Sequence, residues 1–281
     1  MRALVAGAGG QLGQALCRRL GARLAWGGGR TELDIRDAEA VRRLVSEVRP
    51  DVVINAAAYN KVDAAETEPG EALAVNAEGP LHLARAAREL GVLIVHVSTD
   101  YVFDGRRTEP YTEDDPANPI SAYGVSKLAG ELLVASAAPE HLLVRTSAVF
   151  GAGGSRAKGG SFVDRILARA RAGEPLRVVA DQVFSPTYAP DLAGGLLALV
   201  EAGARGLFHV TNQGSCTWNE MATTALEIAG PRVPVQAIRT EELGAAARRP
   251  AYSVLDNARY RALGLTPLRP WRDALREMLA A

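Results

Sequence analysis

Three glycines at three-residue spacing, Gly7, Gly10 and Gly13, stand directly after the short apolar run RALVA and within the turn that opens the helix-forming stretch QLGQALCRRL. Few folds accept that arrangement. Glycines at a strand-to-helix turn let the backbone reverse tightly, let a ligand approach the main chain, and let the helix settle close to the sheet. The same rhythm of short apolar run and longer helical segment then recurs through DVVINAA, EALAVNAEGPLHLARAAREL, VLIVHVST, YGVSKLAGELLVASA and HLLVRTS. The short runs are apolar almost throughout, as strands buried on both faces of a parallel sheet require. Alternating β and α segments predict an α/β fold, a doubly wound parallel sheet of Rossmann type with right-handed crossovers. The rhythm loosens after about Gly151, where GAGGSRAKGG reads as a mobile loop, and the remainder reads as a smaller C-terminal cap. Residues 1–150 are expected to form most of the sheet unit, joined by later segments such as about 188–212, and residues 151–281 most of the cap.

Composition excludes several classes of partner. The 281 residues carry 32 Lys and Arg against 32 Asp and Glu, so there is no electrostatic footprint for nucleic acid or a membrane surface. Cys17 and Cys216 lie too far apart to suggest a disulfide framework or a metal cluster, and read as idle thiols in a reducing cytosol. The longest apolar stretches, such as LAGGLLALV from Leu192 to Val200, are too short to span a bilayer. The N-terminal MRALVAGAGGQLG lacks a convincing cleavage site and reads as a strand entering a glycine turn. A cytoplasmic protein is expected.

Polar residues gather where such a sheet opens its ligand crevice. Gly7, Asn55, Ser98 to Asp100, and Thr146 with Ser147 all fall at the carboxyl ends of predicted strands. A helix N-terminus behind a glycine turn presents free N–H groups to a pyrophosphate, which makes the first turn a dinucleotide site. The second strand ends in Trp26, Gly27, Gly28, Gly29 and Arg30, with no acid before Glu32 and Asp34. An acid there would bind the ribose hydroxyls of NAD; Arg30 instead suits a 2′-phosphate. NADPH is therefore favoured, with NADH left open, and Asp34 and Ile35 are placed to flank the adenine.

The chemistry concentrates in YGVSK. Tyr123 and Lys127 stand at i and i+4 and share one helix face. A free tyrosine has a pKa of about 10 and is a poor acid at neutral pH. An adjacent ammonium is expected to lower that pKa and make the phenol a proton donor to a ketone, while also holding the nicotinamide ribose. Thr99, at the end of the fourth strand, can hydrogen-bond the carbonyl oxygen as charge develops. His96, inside an apolar run, reads as a packed core histidine, and Glu113, Asp114 and Asp115 as a solvated loop. No metal-ligand spacing is present, and no metal is expected.

Taken together, GAGGQLG, LDIRD, RPDVVINAAAYNKVDAAE, VNAEGPLHLA, VSTDYVFDG, YGVSKLAGE, RTSAVFG, DQVFSPT and RPAYSVLD run nearly end to end along the chain. In this combination the chain resembles the dTDP-4-dehydrorhamnose reductases, within the extended short-chain dehydrogenase/reductases that act on sugar nucleotides. The resemblance implies hydride transfer from NAD(P)H to C4 of dTDP-4-dehydro-6-deoxy-L-mannose, giving dTDP-L-rhamnose, with the C-terminal cap binding substrate. It also implies catalytic roles for Thr99, Tyr123 and Lys127. Cofactor contacts are implied at Gly10, Gln11, Leu12, Asp34, Ile35, Ala56, Ala57, Ala58 and Val97, and a sugar contact at Asp100. Similar dehydratases continue Thr-Asp with Glu; here Tyr101 follows, which speaks against dehydration. Two departures stand out. Ala148 replaces a tryptophan that the family often sets against the sugar, and the first helix carries Gln14 and Ala15 instead of acids used by some relatives for a metal-bridged dimer. A homodimer is left open. So are a reductase or 4-epimerase of another nucleotide-linked keto-deoxysugar and a non-catalytic NADP-binding regulatory subunit, although the latter has no need of a Thr–Tyr–Lys set.

Overall fold

The computed structural model describes residues 1–151, 160–230 and 232–280. Most of the glycine-rich segment read as a mobile loop, residues 152–159, lies outside the described residues. The chain forms β1 (Ala3–Ala6), α1 (Gln11–Leu20), β2 (Leu24–Gly28), α2 (Ala38–Val48), β3 (Val52–Asn55), α3 (Gly79–Leu90), β4 (Leu93–Thr99), α4 (Ala122–Ala137), β5 (His141–Thr146), α5 (Ala189–Glu201) and β6 (Gly206–His209). The six strands make one parallel sheet in the order β6-β5-β4-β3-β1-β2. The chain winds from β1 outward to β2, then resumes on the other side of β1 at β3. That reversal opens a crevice at the strands' carboxyl ends, as the α/β reading of the sequence requires.

Continuous apolar strands follow from burial on both faces. Val5, Ile54, Val95 and Val144 point toward α1 and α5, where Leu16, Leu192 and Leu196 meet them. Their neighbours Leu4, Val53, Ile94 and Leu143 point the other way, onto Val41, Val45, Leu83 and Val134 of α2, α3 and α4. Each such side chain, moved out of water, contributes about 1.5–3 kcal/mol, so the two layers carry most of the driving force for this unit. Local signals set the helix ends. Asp37 caps α2 by accepting from the Ala40 N–H at 3.0 Å, Ser121 caps α4 by accepting from Gly124 N–H at 3.1 Å, and Gly91 closes α3 in the left-handed region.

A second apolar cluster forms the cap. Helices Phe162–Arg171, Trp218–Ala229 and Trp271–Ala280 pack with two small strand pairs, Leu176–Val179 with Val235–Ile238 and Val183–Phe184 with Cys216–Thr217. Capping boxes at Ser161 with Asp164 and at Thr217 with Glu220 fix the starts of the first two helices. The segment around residues 251–256 stitches the layers together: Ser253 N–H donates to the Val183 carbonyl at 2.8 Å, and Tyr111 N–H to the Val254 carbonyl at 2.8 Å.

The acidic run at 113–115 departs from its expected solvated character. Glu113 is buried and accepts from the backbone N–H groups of His209 at 3.0 Å and Arg259 at 3.3 Å, while Asp114 and Asp115 pair with Arg259 and Arg107. Burial of the carboxylate is tolerated because it satisfies two N–H donors that would otherwise be orphaned. Among the described residues no three His, Cys, Asp or Glu side chains group as a metal site, and no helix is long and apolar enough to cross a membrane.

The glycine turn has no slack. A Cβ on Gly13 would lie 2.1 Å from the Gly7 carbonyl oxygen, a backbone atom that cannot swing aside. Gly13→Ala is therefore expected to cost about 1–3 kcal/mol through overpacking, read as a lower urea midpoint. An unchanged midpoint would contradict this account of the turn.

Candidate active site

The site is built around the first turns of α4, which lie against the carboxyl end of β4. Their seating is specific. Asn76, in a π-helical turn (Ala74–Glu78) that precedes α3, accepts from Tyr59 N–H at 2.8 Å and donates to the Tyr59 carbonyl and to Ser126 Oγ, both at 2.9 Å. Ser126 Oγ in turn donates to the Tyr123 carbonyl at 2.8 Å. One turn on, a Cβ at Gly130 would sit 2.1 Å from the Asn76 carbonyl oxygen, so α4 touches that turn backbone to backbone.

Tyr123 and Lys127 face the crevice together with Thr99. Lys127 is buried and its Nζ donates to the Val97 carbonyl at 2.7 Å. Burial pulls its pKa down to about 8, opposed by the Glu131 carboxylate one turn along. Glu131 is itself buried and held by Arg145 of β5, with Nη2 at 2.7 Å and Nε at 2.9 Å. The Arg145 guanidinium also lies 5.1 Å from the Phe103 ring centre.

The tyrosine differs from the sequence expectation. Burial pushes the Tyr123 hydroxyl up to about 12; a hydrogen bond with Thr99 opposes the rise and the Asp100 charge adds to it. Desolvation outweighs any help from the lysine, and the phenol keeps its proton across the physiological range. The Tyr101 ring meets Tyr123 edge-on, with centroids 5.7 Å apart.

Thr99 and Asp100 form one unit. Thr99 Oγ1 donates to Asp100 Oδ1 at 3.0 Å and accepts from Tyr101 N–H at 3.2 Å. Asp100 Oδ2 accepts from Ser147 Oγ at 2.8 Å and from Ser253 Oγ at 2.6 Å. The carboxyl is buried and its pKa is raised by that burial, with the three hydroxyls opposing. Behind β4, His96 is fully buried, as the sequence suggested. Asn55 Oδ1 accepts from Ala57 N–H at 3.1 Å, so Asn55 Nδ2 donates to His96 Nδ1 at 3.0 Å. Burial, then Lys127, keep that imidazole neutral.

These groups open on one cleft of about 480 Å³. Of the residues expected at a dinucleotide, Gly10, Gln11, Leu12, Ala56, Ala57, Ala58 and Val97 line it, together with Thr99, Asp100, Tyr123, Lys127 and Ala148. Gly7 and Gly13 close the turn behind it. Arg30, Asp34 and Ile35 lie beyond the end of β2, outside the cleft lining. There Arg30 is exposed and 3.6 Å from both Asp34 and Glu71, whereas Arg36 grips Asp34 at 2.5 Å and Glu71 at 2.8 Å. The Arg36 side-chain hydrogen bond is the main cause that holds the Asp34 carboxyl at about 2; burial, next in size, opposes it, and the Arg36 backbone N–H and the charges of Arg36 and Arg30 add smaller help. The Ile35 side chain is buried against Gly79.

Several lining residues were not singled out in the sequence. Gln182, Phe184 and Trp218 come from the cap, and Ser253 and Arg249 from the returning segment; Arg249 pairs with Asp63 at 2.7 Å. DQVFSPT and RPAYSVLD marked two of these stretches, but only tertiary contact brings them to Tyr123. Ala148 also lines the cleft, with φ +41°, a left-handed backbone unusual for a residue with a Cβ.

The Glu131–Arg145 pair is the most exposed to disruption by mutation, because removing one partner strands the other's charge in a dry layer. Glu131→Ala is expected to cost about 3–5 kcal/mol, measured by denaturant titration. A loss under about 1 kcal/mol, the range of surface pairs, would contradict the burial described.

The RmlD substrate binding domain family matches residues 1–281. A dTDP-4-dehydrorhamnose reductase of Streptomyces griseus is 43% identical, across 100% of this chain and 93% of that protein. Among solved structures, a dTDP-4-dehydrorhamnose reductase of Clostridium acetobutylicum superposes with a TM-score of 0.95 at 38% identity, covering 100% of this chain and 99% of that one. The Bacillus anthracis dTDP-4-dehydrorhamnose reductase in complex with NADP also gives 0.95, at 37% identity, covering 99% and 98%. With the family model matched over the whole chain and full-length relatives at about 40% identity, the chain belongs to the RmlD substrate binding domain family.

Proposed function

We propose that this chain is an NADPH-dependent reductase that converts the C4 keto group of dTDP-4-dehydro-6-deoxy-L-mannose to the hydroxyl of dTDP-L-rhamnose. The observation that carries the reading is the convergence of Thr99, Tyr123 and Lys127 in the cleft that opens beside the glycine turn. The activities named for full-length relatives at about 40% identity and the NADP of the Bacillus anthracis structure support it.

The residues present fit a nicotinamide dinucleotide. The N-terminus of α1 stands at one side of the cleft and Lys127, an ammonium with three donors of which one serves Val97, at the other. Bound there, the dinucleotide supplies the hydride for the carbon of the ketone. Gly10, Gln11 and Leu12 would hold its pyrophosphate, Ala56 to Ala58 and Val97 its ribose and ring, and Lys127 the nicotinamide ribose. Arg30, exposed and only loosely paired at 3.6 Å with Asp34 and Glu71, is the cation beyond β2 that would turn to a 2′-phosphate, whereas Arg36 is neutralised by those two carboxylates; this favours NADPH over NADH, with Asp34 and Ile35 toward the adenine.

Tyr123 donates its proton to the keto oxygen as that oxygen gains charge, and the Thr99 hydroxyl turns its single proton from Asp100 Oδ1 to the same oxygen. Lys127, charged below its pKa, stabilises the phenolate left behind. Asp100 holds the Thr99 side chain until substrate binds and lines the cleft with Ser253, while buried Ser147 supports the Asp100 carboxylate. We read residues 1–150 as mainly the cofactor unit and 151–281 as mainly the substrate cap, in a cytoplasmic enzyme.

Following oxidation of NADPH with the dTDP-linked 4-keto sugar tests this directly. Tyr123→Phe is expected to lower kcat by about 10²–10⁴-fold while NADPH binding persists. Because Tyr123 holds its proton to about 12, the alkaline limb of the wild-type profile belongs to Lys127. Activity should stay level up to about pH 8 and fall as the ammonium deprotonates above it. Full activity in Tyr123→Phe, or activity that keeps rising well above pH 8, would contradict these roles.

A further inference from the structure

Position 148, just after β5, gives the cleft only a methyl group, while the cap contributes aromatic rings to the same lining. Trp218 is the first residue of its helix, and the Thr217–Glu220 capping box fixes where that helix starts. The indole is then clamped on three sides. Its ring lies 4.1 Å from that of Phe184 and 4.7 Å from that of Phe162, centroid to centroid, and its Nε1 donates to Gln182 Oε1 at 3.1 Å. Gln182 is buried and cannot drift, because its Nε2 donates to Thr240 Oγ1 at 3.0 Å and Thr240 Oγ1 donates to Asp181 at 2.6 Å. A polar chain of three residues thus orients one ring. Trp218 remains only partly buried, lines the same cleft as Tyr123 and Thr99, and belongs with Ala148 to the rim of a single apolar cluster.

We propose that Trp218 is the sugar-facing aromatic platform of this enzyme, doing from the cap what a large side chain at position 148 would do from the sheet. A hexose lacking its C6 hydroxyl presents a methyl group and axial C–H bonds, an apolar face that a fixed indole covers well. Ala148, a lining residue of the same cleft, takes up little of it. The inference rests on the reductase reading, since it concerns the sugar of that same substrate.

The test is affinity, measured by calorimetry on the NADP⁺-loaded enzyme with dTDP-L-rhamnose and separately with dTDP. Trp218→Leu is expected to weaken dTDP-L-rhamnose about tenfold and leave dTDP unchanged, because the lost contact is to the sugar. Trp218→Phe should keep most of the sugar affinity, and Gln182→Ala, which unclamps the indole and also removes an amide from the cleft lining, should lose a few-fold. Should the leucine variant fold poorly, the latter two still decide the matter by the ratio of the two affinities. Equal weakening of both ligands would overturn the assignment by placing Trp218 at the nucleotide, and no change in either would overturn it outright. Variants that show this affinity pattern, with a wild-type enzyme that does not oxidise NADPH with the keto sugar, would refute the reductase reading while upholding the platform.

Discussion

Everything in the site depends on how closely α4 can lie against the carboxyl end of β4. The approach is made possible by Gly130, which lets the helix touch the Asn76 backbone, and is locked by Asn76, Ser126 and the Lys127–Val97 hydrogen bond. Lys127 is dragged into a dry layer by this docking. Most lysines would avoid that place, since an ammonium loses its hydration there. Here the carbonyl of Val97 and the field of Glu131 compensate part of the loss, and the remainder appears as a pKa near 8.

That single constraint propagates outward. Glu131 needs its own counterion, which Arg145 provides from the neighbouring strand, and Arg145 spreads over Phe103. Tyr123, buried on the same face, stays protonated and is therefore ready to give rather than take a proton. Asp100 extends the order to the cap, because its second oxygen is shared between Ser147 at the end of β5 and Ser253 in the returning segment. The sheet supplies rigidity, and the polar layer beneath α4 converts it into fixed directions for three reacting groups.

Much of this was legible in the chain itself. Unbroken apolar runs such as VLIV, alternating with helical stretches, pointed to two-sided parallel strands, and within a helix a tyrosine and lysine four apart share one face. What the sequence hid was set by distance in three dimensions. Asn76 looks like an ordinary helix residue until its turn meets α4, and Arg36 reads as one more surface arginine until it closes on Asp34. Glu113 is buried where its acidic run suggests solvent, because composition cannot show that two distant N–H groups come to it. The expected lowering of the Tyr123 pKa failed for a related reason: spacing reports proximity of charge but not the desolvation that competes with it.

Isotope transfer tests the central claim most directly. NADPH deuterated at both C4 hydrogens of its reduced ring, incubated with the enzyme and dTDP-4-dehydro-6-deoxy-L-mannose, should yield a dTDP-sugar carrying one deuterium at sugar C4, seen by mass and by loss of that proton's resonance. A product without label at C4, or an unreduced sugar recovered with its nucleotide intact, would contradict the assignment of this cleft to hydride transfer.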